Sequence, residues 1–223
     1  LAASVALASL GMSGAANASI AIATAKSGSS EMFLTAWDQV GLQSYSRDLG
    51  VFESTMMADP NKPLSYNLNT LDTGAADTNW TTFINSGNKG AGVVYTVTGS
   101  DITDFHPGFG VLTTSPSTMA LITPSISTQS KLVNVGQSIT LWAKNLNSDA
   151  GDNATTTTSV NLSSYATSTD TSKIGYFDNP FWGINEGGKT FLTIGDINHS
   201  VAFYAVAMKQ DATGNWNPGL TKL

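Results

Sequence analysis

Short apolar runs separated by polar turns recur along most of the chain. Residues 31–38 form one such run, and residues 43–49 alternate large side chains with small or acidic ones. The connection between them, residues 39–42, contains Gly41, which suits a tight turn. These two segments are therefore predicted to pair as a β-hairpin.

Further strands are predicted wherever β-branched and aromatic residues gather between turn residues. These segments are residues 93–98, 109–114, 191–194 and 201–208, with a last strand containing Trp216. The polar stretch 148–172 is compatible with a long loop or with weak edge strands. Residues 51–58 show neither the alternation of a strand nor the spacing of a helix clearly.

Helical spacing is confined to two segments. Apolar residues at steps of three and four predict an amphipathic helix over residues 128–147, and they are Leu132, Val135, Ile139, Trp142 and Leu146. Asp77 or Thr78 is a candidate cap for a short helix that ends near Gly87 and carries Trp80, Phe83 and Ile84. Together with the strands, this predicts a mainly β fold: a β-sandwich of antiparallel strands with one or two helices, forming a single domain over residues 19–223.

The first 18 residues differ from the rest in composition. They are rich in Ala and Leu, uncharged, and end in Ala16-Asn17-Ala18, a pattern typical of the apolar core and cleavage site of a secretory signal peptide. The alternative is a retained N-terminal strand that completes the sheet of a neighbouring subunit. In that case the predicted subunit contacts are Val5, Leu7, Ile20 and Ile22.

Composition narrows the range of partners. Charged residues make up 12% of the chain and the net charge is −6, whereas charged residues are usually about a quarter of a globular protein. Arg47 is the only arginine, so no basic stripe is available to displace counterions from nucleic acid. The chain has no cysteine, which excludes disulfides and thiolate chemistry. A surface of Ser, Thr and Asn is expected, as in many exported proteins.

The segment from Ser30 to Asp38, continued by Ser44 to Gly50, resembles the start of uncharacterised secreted bacterial proteins of the PEP-CTERM-associated type. The resemblance covers about a tenth of the chain. It implies export to the cell surface or the extracellular space. No catalytic residue follows from it.

A phosphate-binding pattern, G-x-x-x-x-G-K-[ST], occurs at residues 183–190. The chemistry of that motif needs a helix directly after the loop. Residues 190–195 are β-branched and aromatic and predict a strand instead, so no nucleotide partner is expected. Serine hydrolase chemistry would have to use His106 or His199 as its base, and no G-x-S-x-G elbow accompanies them.

Acidic residues near aromatic ones leave a secreted glycosidase as a distant alternative, because glycoside hydrolysis uses a pair of carboxylates. The candidates are Asp38, Asp48, Asp178 and Glu186. Turn and strand-end roles explain the same residues without catalysis. The chain is therefore predicted not to be an enzyme.

Two other segments have candidate binding residues. Asp149, Asp152 and Asn153 lie in an oxygen-rich stretch and are the candidate ligands of a calcium ion. Tyr176, Phe181 and Trp182 cluster around Asn179-Pro180. Aromatic faces on a loop bind sugar rings or a protein partner, and the same residues would equally close the end of a hydrophobic core.

The sequence thus predicts an exported structural or adhesive protein of the cell surface or matrix. Its expected partners are other copies of the chain or extracellular matrix, and a filament assembled by strand complementation is one form of this hypothesis. The alternative is a carbohydrate-binding module that uses the aromatic cluster to bind polysaccharide.

Overall fold

A computed structural model of the chain describes residues 20, 22, 30–38, 40–59, 65–71, 74–86, 93–101, 110–115, 129–149, 163–169, 195–196 and 202–222. The strands are β1 (Glu31–Asp38), β2 (Gln43–Phe52), β3 (Val93–Asp101), β4 (Gly110–Ser115), β5 (Ser163–Thr167), β6 (Gly195–Asp196), β7 (Ala202–Gln210) and β8 (Trp216–Lys222). The helices are α1 (Glu53–Ala58), α2 (Thr78–Ser86) and α3 (Gln129–Asp149). None of the helices in these ranges is long and apolar enough to cross a membrane.

Seven strands lie side by side in one antiparallel, open sheet. Their order is β5-β2-β1-β3-β4-β7-β8, and the two-residue strand β6 pairs with β3 beside β4. The predicted mainly β fold is confirmed. The predicted sandwich is not shown, because the elements packed on this sheet in the described ranges are helices rather than a second sheet. The described ranges contain three helices, whereas one or two were predicted.

The predicted hairpin is confirmed as β1 and β2, which pair from Asp38↔Gln43 to Glu31↔Phe52. The Asp38 carboxylate holds the turn by accepting hydrogen bonds from the backbone N–H groups of Val40 (3.0 Å) and Gly41 (2.8 Å). A Cβ at Gly41 would lie 2.5 Å from Oδ2 of Asp38, so a larger residue there would displace the carboxylate that holds the turn.

Alternating residues divide the sheet into two faces. The α3 face has Phe33, Trp37, Val111 and Val206 in one buried cluster with Leu132, Val135 and Ile139 of α3. The α2 face has Met32 and Leu112 near α1, and Ala36 and Tyr45 beneath α2. Helices on both faces give three layers, with the sheet in the middle.

A row of hydroxyl side chains crosses the α3 face in register. Ser164 of β5, Ser46 of β2, Thr35 of β1 and Thr96 of β3 are aligned across four strands, and each is at most 6% exposed. Thr35 and Ser46 share a hydrogen bond of 2.8 Å, and the indole N–H of Trp142 donates to Thr35 (3.3 Å). Part of the Ser and Thr content that predicted a polar surface is therefore buried.

Candidate functional site

The N-terminal residues that the structure describes are docked on the chain's own core. Ile20 is 5% exposed and belongs to the cluster formed by α3 and the α3 face, and the half-buried Ile22 packs against the same cluster. Neither residue lies in a strand. The other two predicted subunit contacts, Val5 and Leu7, lie outside the described residues.

Asn147 holds Ile20 by its main chain. The side-chain Oδ1 of Asn147 accepts a hydrogen bond from the backbone N–H of Ile20 (2.9 Å), and Nδ2 donates to the Ile20 carbonyl (3.1 Å). A neighbouring strand would pair with the same two groups. The Asn147 amide therefore makes the two hydrogen bonds that a neighbouring strand would make, and it contacts the backbone of Ile20 rather than its side chain.

The helical repeat explains why Asn147 is in this position. Ile139, Ala143 and Asn147 are separated by four residues and share one side of α3, so the apolar stripe of that helix ends in an amide. Asn147 is 5% exposed, and a buried amide is costly unless it has hydrogen-bond partners. The helical spacing predicted the apolar stripe but not the role of Asn147, and a polar residue at a stripe position was the available signal.

A second polar group lies on the α2 face. Asp77, 1% exposed, is the N-cap of α2, and its Oδ1 accepts from the N–H of Trp80 (2.9 Å). The same oxygen accepts from the hydroxyl of Ser163 on β5 (2.9 Å), and Oδ2 accepts from the Tyr45 hydroxyl on β2 (2.9 Å). The predicted cap is confirmed, and one carboxylate joins α2 to two strands.

Neighbouring side chains reinforce this junction. Asn79 donates to both the carbonyl and the hydroxyl of Ser163 (2.9 and 3.1 Å). The rings of Tyr45 and Trp80 meet edge to face with centroids 5.0 Å apart, and Phe83 stacks on Trp80 at 5.8 Å. Burial, the charge of Asp77 and the hydrogen bond to Asp77 together raise the pKa of the Tyr45 phenol well above its usual value of 10.0.

Gln43 anchors the far end of α2. Its Oε1 accepts from the hydroxyls of Ser86 (2.6 Å) and Tyr165 (2.9 Å), and its Nε2 donates to Asp38 (3.1 Å). Arg47 is 2% exposed and its guanidinium donates to the carbonyls of Asn67 (3.1 Å) and Thr70 (2.7 Å). These bonds fix a loop and a helix onto β2.

The carboxylates proposed for glycoside hydrolysis are not brought together where they are described. Asp38 lies on the α2 face and Asp48 on the α3 face, because their pairing partners, Gln43 and Phe33, belong to opposite faces. Both are buried, and Asp48 accepts from the backbone N–H of Gly50 (2.8 Å). They organise turns and strand ends. Asp178 and Glu186 lie outside the described residues.

The remaining predicted sites fall largely on undescribed residues. Asp149 is the last residue of α3, and the other calcium candidates, Asp152 and Asn153, lie outside the described residues. The same holds for the aromatic cluster, the 183–190 pattern, the predicted strand 191–194 and both histidines. Among the residues that are described, no group of three His, Cys, Asp or Glu is placed to hold a metal ion.

Among the described residues, Asn147 binds a distant segment, and Asp77 and Gln43 each join α2 to neighbouring strands. The described hydrogen bonds of Asp77 and Ser163 each fix an element of the fold. Asn147 is different because it binds a segment that lies 127 residues away in sequence. No protein-family model, no curated protein and no solved structure matches the chain.

Proposed function

We propose that this chain is an exported structural or adhesive protein that acts by associating with other copies of itself or with matrix, rather than by chemistry on a substrate. The observation that carries the proposal is the docking of Ile20. Ile20 is bound through its main chain by Asn147 and through its apolar side chain by the core, and binding through main chain and side-chain anchors is how proteins that assemble by segment addition bind their partners.

The use of the buried polar groups supports a role without catalysis. Asp38, Asp48 and Asp77 are all at most 5% exposed and accept hydrogen bonds from backbone or side-chain donors of the fold. Active-site carboxylates instead tend to lie in a cleft where substrate can reach them. The proposal requires an open sheet with a docked segment and does not require a second sheet.

Export is part of the same proposal. The uncharged Ala- and Leu-rich residues 1–18 and the Ala16-Asn17-Ala18 sequence support cleavage after Ala18. Intact mass of the exported protein tests this directly. A mass that includes residues 1–18 would contradict the signal-peptide interpretation and favour a retained segment.

Self-association is tested on the native exported material by electron microscopy and by light scattering of the purified chain over a wide concentration range. Filaments, lattices or oligomers whose mass rises with concentration are expected. Monodisperse monomers at every concentration, together with the absence of assemblies on the cell surface, would contradict the proposal.

Polysaccharide binding through Tyr176, Phe181 and Trp182 stays a second prediction, which rests on the sequence cluster alone. Retention of the chain on a polysaccharide column and its loss in Trp182→Ala would support it. The absence of retention by the parent chain, or unchanged retention of the variant, would end it.

A further inference from the structure

We propose that the docking of Ile20 fixes the order of two steps in the maturation of this chain. The bond between Ala18 and Ser19 is cut before Ile20 docks on the core, and a chain that docks first keeps residues 1–18 as a leader. This inference rests on the proposed export and on the proposed cleavage after Ala18. It gives Asn147 a part in determining whether the chain is released from its leader.

Two independent observations meet at the same place in the chain. The composition of residues 1–18 and the Ala16-Asn17-Ala18 sequence put the cleavage point after Ala18. The contacts of the folded chain put Ile20 in the core, where it is 5% exposed and belongs to the cluster formed by α3 and the α3 face. A single residue, Ser19, therefore separates the proposed cleavage point from a docked side chain.

The covalent chain keeps the cleavage point close to the core while Ile20 is docked. Two Cα steps lead from Ala18 to Ile20, and they reach at most roughly 7 Å in any conformation. The half-buried Ile22 packs against the same cluster and restrains the chain on the other side of Ile20. A peptidase has to enclose the bond in its own active-site cleft, and a bond tethered this near to a packed core cannot enter one.

The main-chain groups that a peptidase would use are already taken at Ile20, the second residue after the cleavage point. A bound extended peptide pairs its backbone N–H and carbonyl groups with the protein that binds it. In the folded chain Asn147 accepts from the N–H of Ile20 (2.9 Å) and donates to its carbonyl (3.1 Å). Asn147 and a peptidase therefore compete for the same residue.

Docking does not depend on prior cleavage. The chain that folds in this way still includes residues 1–18, and its Ile20 is docked. A docked and uncut chain is therefore an accessible state. Cutting it requires Ile20 to undock first, and the rate then falls in proportion to the undocked population. Whether a chain loses its leader depends on which of the two steps comes first.

The test adds signal peptidase, in detergent, to the full chain either at the moment of dilution from urea or after refolding is complete. Intact mass measures cleavage after Ala18. Chains that meet the peptidase while they refold are expected to be cut, and the refolded parent is expected to be cut at least about tenfold more slowly. Refolded Asn147→Ala loses both hydrogen bonds to Ile20 and is expected to be cut about tenfold faster than the refolded parent.

Asn145→Ala is the matched control, because Asn145 is a half-buried amide of α3 two residues from Asn147, and it should be as resistant as the parent. Circular dichroism checks that the refolded variants keep their secondary structure. If Asn147→Ala does not fold, Ile20→Ala weakens the docking from the side of the segment and leaves α3 unchanged. The arm with peptidase present during refolding shows whether Ile20→Ala is itself a good substrate.

The outcomes separate this inference from the proposed function. The absence of cleavage after Ala18 in both arms would overturn the signal-peptide interpretation and, with it, this order of steps. Equal rates in the two arms for the parent would overturn the order and leave cleavage after Ala18 intact. A refolded Asn147→Ala chain that folds and is as resistant as the parent would overturn the part assigned to Asn147.

Discussion

The helices on the two faces of the sheet are held in different ways. On the α3 face, Leu132, Val135 and Ile139 are at most 2% exposed and contact apolar strand residues. On the α2 face, Phe83 is the one residue of α2 that is fully buried, and the helix is held by hydrogen bonds that Asp77 and Gln43 accept. The first attachment is mainly apolar and the second is mainly polar.

The difference has a physical consequence. Apolar burial is non-directional and contributes about 1.5–3 kcal/mol for each large side chain, so α3 supplies stability with little dependence on orientation. A buried hydrogen bond contributes less net free energy, but its loss leaves a polar group without water. The Asp77 junction therefore fixes how α2, β2 and β5 are arranged, whereas α3 supplies more of the free energy.

Leu132→Ala should have the largest effect. The side chain is 0% exposed, and truncating a fully buried Leu costs about 3–5 kcal/mol through lost burial and the cavity left behind. Chemical denaturation measures the free energy of unfolding. Leu141→Ala on the same helix is the control, because Leu141 is 61% exposed and its truncation should change stability by less than about 0.5 kcal/mol. Equal effects of the two variants would show that α3 is not packed as described.

Asp77→Ala should follow, at about 2–3 kcal/mol, because it removes the cap of α2 and leaves the Tyr45 and Ser163 hydroxyls without their acceptor. The prediction sharpens the comparison, since α2 should loosen while α3 stays protected. Hydrogen exchange of the backbone amides measures both helices. Asn85→Ala, at an exposed position of α2, is the control. Uniform loss of protection over both helices would show that the two attachments are not independent.

Much of the secondary structure follows from local patterns. The β1–β2 hairpin, β3, β4, β7, the cap of α2 and the span of α3 were all predicted within a few residues, because alternation, helical spacing and turn residues are local signals. For the residues of β5 the sequence is compatible with a loop or with an edge strand. Its sequence, SSYAT, has one large side chain, and only its pairing with β2 makes it a strand.

The features that the sequence could not predict depend on contacts between residues far apart in the chain. The order of the strands depends on which surfaces meet, and so does the packing of α3 on the sheet. No local period in the sequence predicts either one. Two partners of Asp77, Tyr45 and Ser163, lie 32 and 86 residues away, and Asn147 lies 127 residues from Ile20. The buried row of Ser and Thr was misleading for a related reason, because composition alone does not distinguish a hydroxyl that faces water from one paired inside a sheet.

Tyr45→Phe should have a smaller effect, about 1 kcal/mol, because the ring still packs on Trp80 and a single hydrogen bond to Asp77 is lost. Its signature is a pH dependence. The pKa of Tyr45 is raised in the folded chain, so the unfolded chain releases this proton first as the pH rises. The contribution of Tyr45 is present below pH 10 and is lost above it. The free energy of unfolding, measured from pH 8 to 11, should fall less steeply for the variant than for the parent. Parallel curves would contradict this prediction.

Asp211→Ala should have the smallest effect on stability. It tests whether burial or the number of hydrogen bonds determines what a carboxylate contributes. Asp211 accepts from the Thr213 N–H and hydroxyl, the Asn215 N–H and the Asn217 amide, one bond more than the carboxylate of Asp77 makes, but it is exposed in the β7–β8 turn. The Thr213 hydroxyl and then the Asn215 N–H lower the pKa of Asp211, so any contribution is present above its unfolded value of 3.8 and is lost as the pH falls through the lower folded value. Water replaces these bonds when the side chain is removed. Amide exchange should therefore rise in the turn alone, while the free energy of global unfolding stays within error of the parent. A loss as large as that of Asp77→Ala would mean that bond number, rather than burial, determines what a carboxylate contributes to this fold.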